Sequence, residues 1–251
     1  MNIQQLYDCI DALAPFSVQE DWDNAGFLVG DMQAEISRVL LALDPSLEVI
    51  KEAKQAGAEL LLTHHPVIFH AQKSFTAGNL AFEAARQGIA VLSAHTNYDA
   101  AAGGVNDVLA SLLGLKEVEY LLAKDESQAM MRKGTILPCA ASVFAAQVRK
   151  VLGAPVRFCL PEKEIKTVAV CGGAGGMFFE AVAGAGVDAF VTGDADHHEF
   201  LNAAEKGVAL FAAGHFETEQ PAVAALADVL SKKFPEVAFF LSKQVSVIEH
   251  I

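Results

Sequence analysis

Long apolar runs, cysteine clusters and basic residues are all scarce in this 251-residue chain. Its most apolar stretches are broken by Gly, Asp or His well short of the ~20 residues a membrane helix needs. The four cysteines, Cys9, Cys139, Cys159 and Cys171, form no C-x-x-C pair, and a chain of this length needs no disulfide staples. Reduced, buried thiols are expected. Basic residues number 18 against 31 acidic, a net charge of −13. That balance argues against a surface that coats nucleic acid. There is no G-x-x-x-x-G-K-[ST] and no G-x-S-x-G. The glycine-rich run CGGAGG (Cys171–Gly176) lacks the P-loop lysine and is not G-x-G-x-x-G, so it reads as a tight strand-to-helix turn. Met1 leads into NIQQLYDCIDAL with no basic start or apolar core, so no secretory signal is expected and the cytoplasm is the expected location.

Hydrophobic residues make up 53% of the chain and charged residues 20%, enough for a substantial core. Segments of the two halves read alike. Val39–Leu43 reads as a buried strand, Leu47–Gln55 as an amphipathic helix, Gly57 as its cap and Glu59–Thr63 as a second strand. A shift of 129 carries Val39 to Val168, Gly57 to Gly186 and Thr63 to Thr192, and Phe27–Val29 to Val156–Phe158. The match continues with a shorter offset: Asn79–His95 resembles His198–His215, with Gly88 and Gly207 as caps. Helical patterns follow at Val105–Leu113 and Pro221–Lys232. The expected fold is α/β: two pseudo-repeated lobes with helices packed on mixed sheets. The charged segment Lys124–Lys133 is the candidate linker. It divides the chain into 1–124 and 125–251, with the C-terminal segment able to return to the first lobe.

Seven of the eight histidines fall near the ends of predicted strands, the edge where α/β sheets bind ligands. His64 and His65 follow LLLT and precede Pro66, which disfavours helix at His65. His95 and Asp99 follow the strand of the next unit. His215 and Glu219 have i, i+4 spacing, which on a helix puts an imidazole and a carboxylate on one face. His197 and His198 open a helix that Asp194 or Asp196 could cap. His70 and His250 read as surface residues. Imidazole with carboxylate suits Zn, Mn, Fe, Ni or Co better than all-oxygen Ca or Mg sites.

Four motifs, in order, carry a resemblance: DWDNAGFLVGD (Asp21–Asp31), LLLTHHPVIF (Leu60–Phe69), HTNYDAAAGGVND (His95–Asp107) and GHFETE (Gly214–Glu219). Together they resemble the NGG-one-interacting-factor-three-like family. Its bacterial YbgI-like members are called dinuclear metal-centre hexameric proteins, and many carry the name type-two GTP cyclohydrolase I homologue. The resemblance implies two divalent transition-metal ions between the lobes and a toroidal homohexamer. It also implies His64, His65, Asp99, His215 and Glu219 as ligands, with Glu219 shared by both ions. Three neutral imidazoles and two carboxylates would leave such a pair with about +2 of excess charge, inviting an anionic small molecule. The expected activity is hydrolysis, on GTP or another phosphorylated compound, with His95 transferring protons. A metal-binding hexamer without turnover, storing metal or docking partners, is the alternative. His197 and His198 are further candidates for substrate phosphate.

Overall fold

Short apolar runs closed by turn residues give two sheets in the computed structural model, which describes residues 1–121 and 129–249. Two compact units result, one of residues 1–101 with 222–245, the other of 102–221 with 246–251. Among the described residues no helix is long and apolar enough to cross a membrane. No disulfide joins the four cysteines; Cys9 and Cys171 are buried, whereas Cys139 and Cys159 are half-buried, short of the burial expected for all four.

The first unit contains α1 (Ile3–Leu13), β1 (Gly26–Val29), β2 (Arg38–Ala42), α2 (Leu47–Ala56) and β3 (Leu60–Thr63). It continues with α3 (Leu80–Gln87), β4 (Ala90–Ser93), α4 (Thr96–Ala100) and β11 (Ala238–Leu241). Its sheet has the order β1-β4-β3-β2-β11, with β1 antiparallel and the rest parallel. Leu40, Leu61 and Val91 meet Val49, Ile50 and Ala53 of α2 and Ala84 of α3. Each of the Leu, Ile and Val side chains, taken fully out of water, contributes about 1.5–3 kcal/mol before entropy is charged. Ser46 caps α2 through the Val49 amide, and Gly57 ends it in the left-handed conformation at φ +67°.

The second unit holds α5 (Val105–Leu112), β5 (Lys116–Leu121), β6 (Met131–Ala140), α6 (Ala141–Leu152), β7 (Arg157–Phe158) and β8 (Glu164–Cys171). After them come α7 (Phe179–Gly184), β9 (Ala189–Thr192), α8 (His197–Lys206), β10 (Ala209–Ala212) and the start of α9 (His215–Lys233). Its mixed sheet runs β5-β6-β8-β9-β10-β7. Alternate strand residues serve opposite faces. Val168, Val170, Val191 and Phe211 pack with Phe144 and Val148 of α6 and Leu109 of α5. Ala169, Cys171, Phe190 and Leu210 pack with Phe179 and Val182 of α7 and Ala203 of α8. Burial on both faces explains why these strands read as continuous apolar runs.

The internal repeat is present in the strand pairing itself. Val39 pairs with Leu60 and Val168 with Ala189, so both strands shift by 129. Leu60 pairs with Ala90 and Ala189 with Ala209, a shift of 209 − 90 = 119 for the third strand. The antiparallel edge departs from expectation. Gly26 pairs with Ser93 and Arg157 with Ala212, so its shift is 157 − 26 = 131, two residues beyond the 129 read from sequence.

Of the expected linker Lys124–Lys133, residues 124–128 lie outside the described residues, but Met131–Lys133 belong to β6. The reason is Arg132, whose charge suggested solvent. Its side chain is buried, pairs with Asp107 and lies 4.1 Å from the centroid of the Tyr120 ring. α9 likewise begins at His215, six residues before the expected start at Pro221.

Candidate metal centre

In the first unit, β3 delivers two histidines to the carboxyl edge of the sheet. The His64 and His65 amides extend the strand ladder by donating to the Ala42 and Leu43 carbonyls. The Thr63 hydroxyl donates to the His65 carbonyl at 2.7 Å, fixing the turn that follows. His95 follows β4, where its amide donates to the Asn97 side chain, and the Asn97 amide group donates to the Ala14 carbonyl at 2.7 Å.

The three rings converge. Their centroids lie 5.0 Å apart for His64 and His65, 5.1 Å for His64 and His95, and 5.3 Å for His65 and His95. One ligand nitrogen from each lies within 4.8 Å of the others, an arrangement able to hold a metal ion. Each Nδ1 is committed elsewhere: His64 to the Ala94 carbonyl at 2.9 Å, His65 to Asp44 at 2.7 Å and His95 to Asp23 at 2.7 Å. A carbonyl or an ionised carboxylate only accepts, so Nδ1 carries the proton and Nε2 keeps its lone pair in the neutral ring. This is the arrangement by which proteins orient metal-binding imidazoles.

Asp23 is fixed in its ionised form. Burial alone would raise its pKa, but the hydrogen bond and charge of His95, the Thr96 hydroxyl and the Asn24 amide bring it down to about 2. On α4, the Asp99 carboxylate stands 3.5 Å from His64 Nε2. The neighbouring Tyr98 hydroxyl donates to the Ala222 carbonyl at 3.2 Å. Burial, and then the charge of Asp99, push that phenol well above its ordinary pKa, so it remains neutral.

The second unit carries the expected imidazole and carboxylate on one turn of α9. His215 Nε2 and Glu219 lie 3.2 Å apart, while His215 Nδ1 meets Asp194, just beyond β9, at 2.7 Å. Glu219 is buried, only 4% exposed. The CGGAGG turn makes room for it. Gly173 has φ +60°, and a Cβ there would lie 2.0 Å from Glu219 Oε1 and 3.2 Å from His215 Nε2. Thr218 Oγ1 accepts from the Gly173 amide at 3.1 Å, and Asn106 accepts from that of Gly172 at 2.8 Å.

Both units therefore present the same electrostatic feature. An imidazole whose Nδ1 proton is already donated points its other nitrogen at a carboxylate oxygen, 3.5 Å away in His64–Asp99 and 3.2 Å away in His215–Glu219. Lone pair facing carboxylate is repulsive without a proton or a cation shared between them. Nitrogen and oxygen donors of this kind fit a first-row divalent metal.

Other predicted residues have quieter places. His197 and His198 are exposed in the first turn of α8, which Asp196 and Glu199 close as a capping box. Asp194 instead orients His215. His70 is exposed beside Phe69, and His250 lies outside the described residues. Sequence reasoning passed over Asp44 and gave Asp23 no role, and it read Gly173 only as part of a tight turn. One signal was available for Asp194: the 129 shift carries His65 onto it, since 65 + 129 = 194.

These features define an α/β protein with imidazole and carboxylate groups at strand and helix ends that are able to bind a metal ion. The chain belongs to the Duf34/NIF3 (NGG1p interacting factor 3) family, which matches residues 1–248. A Clostridium perfringens protein named GTP cyclohydrolase 1 type 2 homolog is 31% identical over 255 residues, covering 97% of each chain. The crystal structure of a Staphylococcus aureus hypothetical protein is similar at TM-score 0.93 and 27% identity, over 100% of this chain and 99% of that one. A Bacillus cereus protein related to NIF3 shares the fold at TM-score 0.94 and 20% identity, with the same coverage.

Proposed function

We propose that this protein is a dinuclear-metal-dependent hydrolase of an anionic small molecule, with GTP as the first substrate to test. In this reading His64, His65, Asp99, His215 and Glu219 hold two divalent ions among Zn, Mn, Fe, Ni and Co. The observation that carries it is the pair of imidazole nitrogens, each oriented through Nδ1, that face carboxylate oxygens. The relatives' name, GTP cyclohydrolase 1 type 2 homolog, supports the choice of first substrate.

Bound divalent ions would supply Lewis acidity, lower the pKa of a water and offset the phosphate charge of a substrate. The chain's own residues do the rest. Asp44 and Asp194 hold the rings of His65 and His215 in the tautomer that exposes Nε2. Asp23, ionised throughout the neutral range, keeps the proton of His95 on Nδ1. His95 Nε2, left with its lone pair, is thus placed to take a proton from water and return it to the leaving group. Tyr98, held neutral, does not compete as a base.

The further expectations are a homohexameric ring, a cytoplasmic location and no role for nucleic acid. Light scattering coupled to size exclusion tests the first. The activity is tested by loading the protein with each metal in turn and following GTP by mass spectrometry. If water opens the imidazole portion of the guanine ring, breaking a C–N bond while both ends stay attached, the product is heavier than GTP by one water, and His95→Gln should lower kcat roughly 10²- to 10⁴-fold with metal content unchanged. Full metal loading with no turnover of GTP or other phosphorylated compounds would replace this reading with a metal-binding assembly.

A further inference from the structure

Trp22 is the only tryptophan in the chain, and it is 56% exposed. Phe69 is 41% exposed, and the two ring centroids lie 5.7 Å apart with planes tilted by 43°. Both also meet His95 through edge contacts, at 5.9 Å for Trp22 and 6.1 Å for Phe69. Scattered exposed apolar residues need no explanation, but two large aromatics joined to one catalytic-candidate imidazole do.

The pair is built into place. Asp23, next to Trp22, is locked by His95 and by the amide and hydroxyl of Thr96. Asn24 donates to the Ile68 carbonyl at 2.7 Å, tying the segment that carries Trp22 to the segment that carries Phe69. Both aromatics are thus positioned by hydrogen bonds of their immediate chain neighbours, and their exposed surface is held ready. An aromatic surface offers dispersion and stacking with no demand for particular hydrogen bonds. Its natural occupant is a flat ring, and the edge contacts with His95 put that ring's substituents beside the histidine group.

We propose that Trp22 and Phe69 form a stacking platform that positions a planar nitrogen heterocycle of the substrate against His95. This deepens the hydrolase reading and rests on it for the identity of the reacting molecule. The platform acts in binding rather than in the chemical step, so its removal raises KM and leaves kcat nearly unchanged.

The single tryptophan gives a direct signal. Guanosine, which has the ring but no phosphate, is titrated into metal-free full-length protein while Trp22 emission is followed. Ribose 5-phosphate, which has phosphate but no ring, is the control. Saturable quenching by guanosine alone is expected. Phe69→Ala should weaken guanosine binding roughly 5- to 150-fold, the range for loss of one stacking partner. Trp22→Ala, read by calorimetry, should do the same, and Trp22→Phe should recover most of the binding. Absence of quenching, or equal guanosine affinity in all variants, overturns the platform. So does emission that changes on protein dilution but not with guanosine, since a second copy would then cover Trp22. Ring binding by protein that hydrolyses nothing would sink the hydrolase reading alone. Hydrolysis at unchanged KM in Trp22→Ala would sink the platform alone.

Discussion

Replacing Gly173 by alanine separates the two jobs that this glycine performs. One job is conformational: at φ +60° an L-residue is strained by about 1–2 kcal/mol. The other is steric. The new Cβ would stand 2.0 Å from Glu219 Oε1, whereas ordinary contact begins near 3.4 Å, so the carboxylate must retreat by up to 3.4 − 2.0 = 1.4 Å. Gly207 supplies the control, because its φ is +68° and nothing lies within 4 Å of the added carbon. Gly207→Ala should therefore lose only the strain energy, a fall in melting temperature of roughly 2–8 °C at about 2–4 °C per kcal/mol. Gly173→Ala should lose at least that much and, in addition, weaken metal binding by about 10- to 100-fold, as displaced supporting groups do. Thermal melts and competition against a chromogenic chelator read the two effects independently. Equal metal affinity in the two variants would refute the claim that Glu219 is a ligand held in place by the glycine turn.

Asp194→Asn and Asp44→Asn should each reduce metal affinity about 10- to 100-fold with little loss of stability, because an amide no longer fixes the tautomer of His215 or His65. The same chelator competition checks both, and unchanged affinity would show that ring orientation does not depend on them. Asp23 should make stability depend on acid. Its pKa falls from the ordinary 3.8 to about 2 on folding, so it stabilises the fold by roughly 2 kcal/mol above pH ~4, and this is lost as pH falls towards 2. Denaturant titrations of metal-free wild type and Asp23→Asn should therefore differ at pH 5 and converge near pH 2; a gap constant over that range would contradict the assignment.

Much of the α/β pattern was legible because each strand of the parallel cores is buried on both faces. Leu60–Thr63 and Ala189–Thr192 read as strands from apolarity alone, and the shared 129 shift reappears as shared pairing register. Sheet order was not legible, because hydrogen bonding between distant strands leaves no local periodicity. The C-terminal strand Ala238–Leu241, which pairs with Arg38–Leu41, is one case. The two-residue slip at the antiparallel edge is another, since only two pairs hold Arg157 and Phe158 against β10. Arg132 misled because composition registers its charge and not its buried partner Asp107. Pro221 misled because proline favours the first turn of a helix, and the true start lies at His215.

The candidate site divided along similar lines. Imidazoles at strand ends stood out by residue type, and the histidine–glutamate pair by its spacing. The aspartates that orient the rings did not, because Asp44 precedes Pro45 and Ser46 and reads as an ordinary turn residue. Asp23 and Gly173 act through contacts with residues 72 and 46 positions away, beyond the reach of any local pattern.

Metal content per chain, measured by elemental mass spectrometry on untagged protein beside His64→Ala and Glu219→Ala, tests the central claim most directly. Wild type should carry close to two transition-metal ions per chain, and each variant clearly fewer while remaining folded. Wild type near zero after incubation with Zn, Mn, Fe, Ni or Co, or full occupancy in both variants, would contradict it.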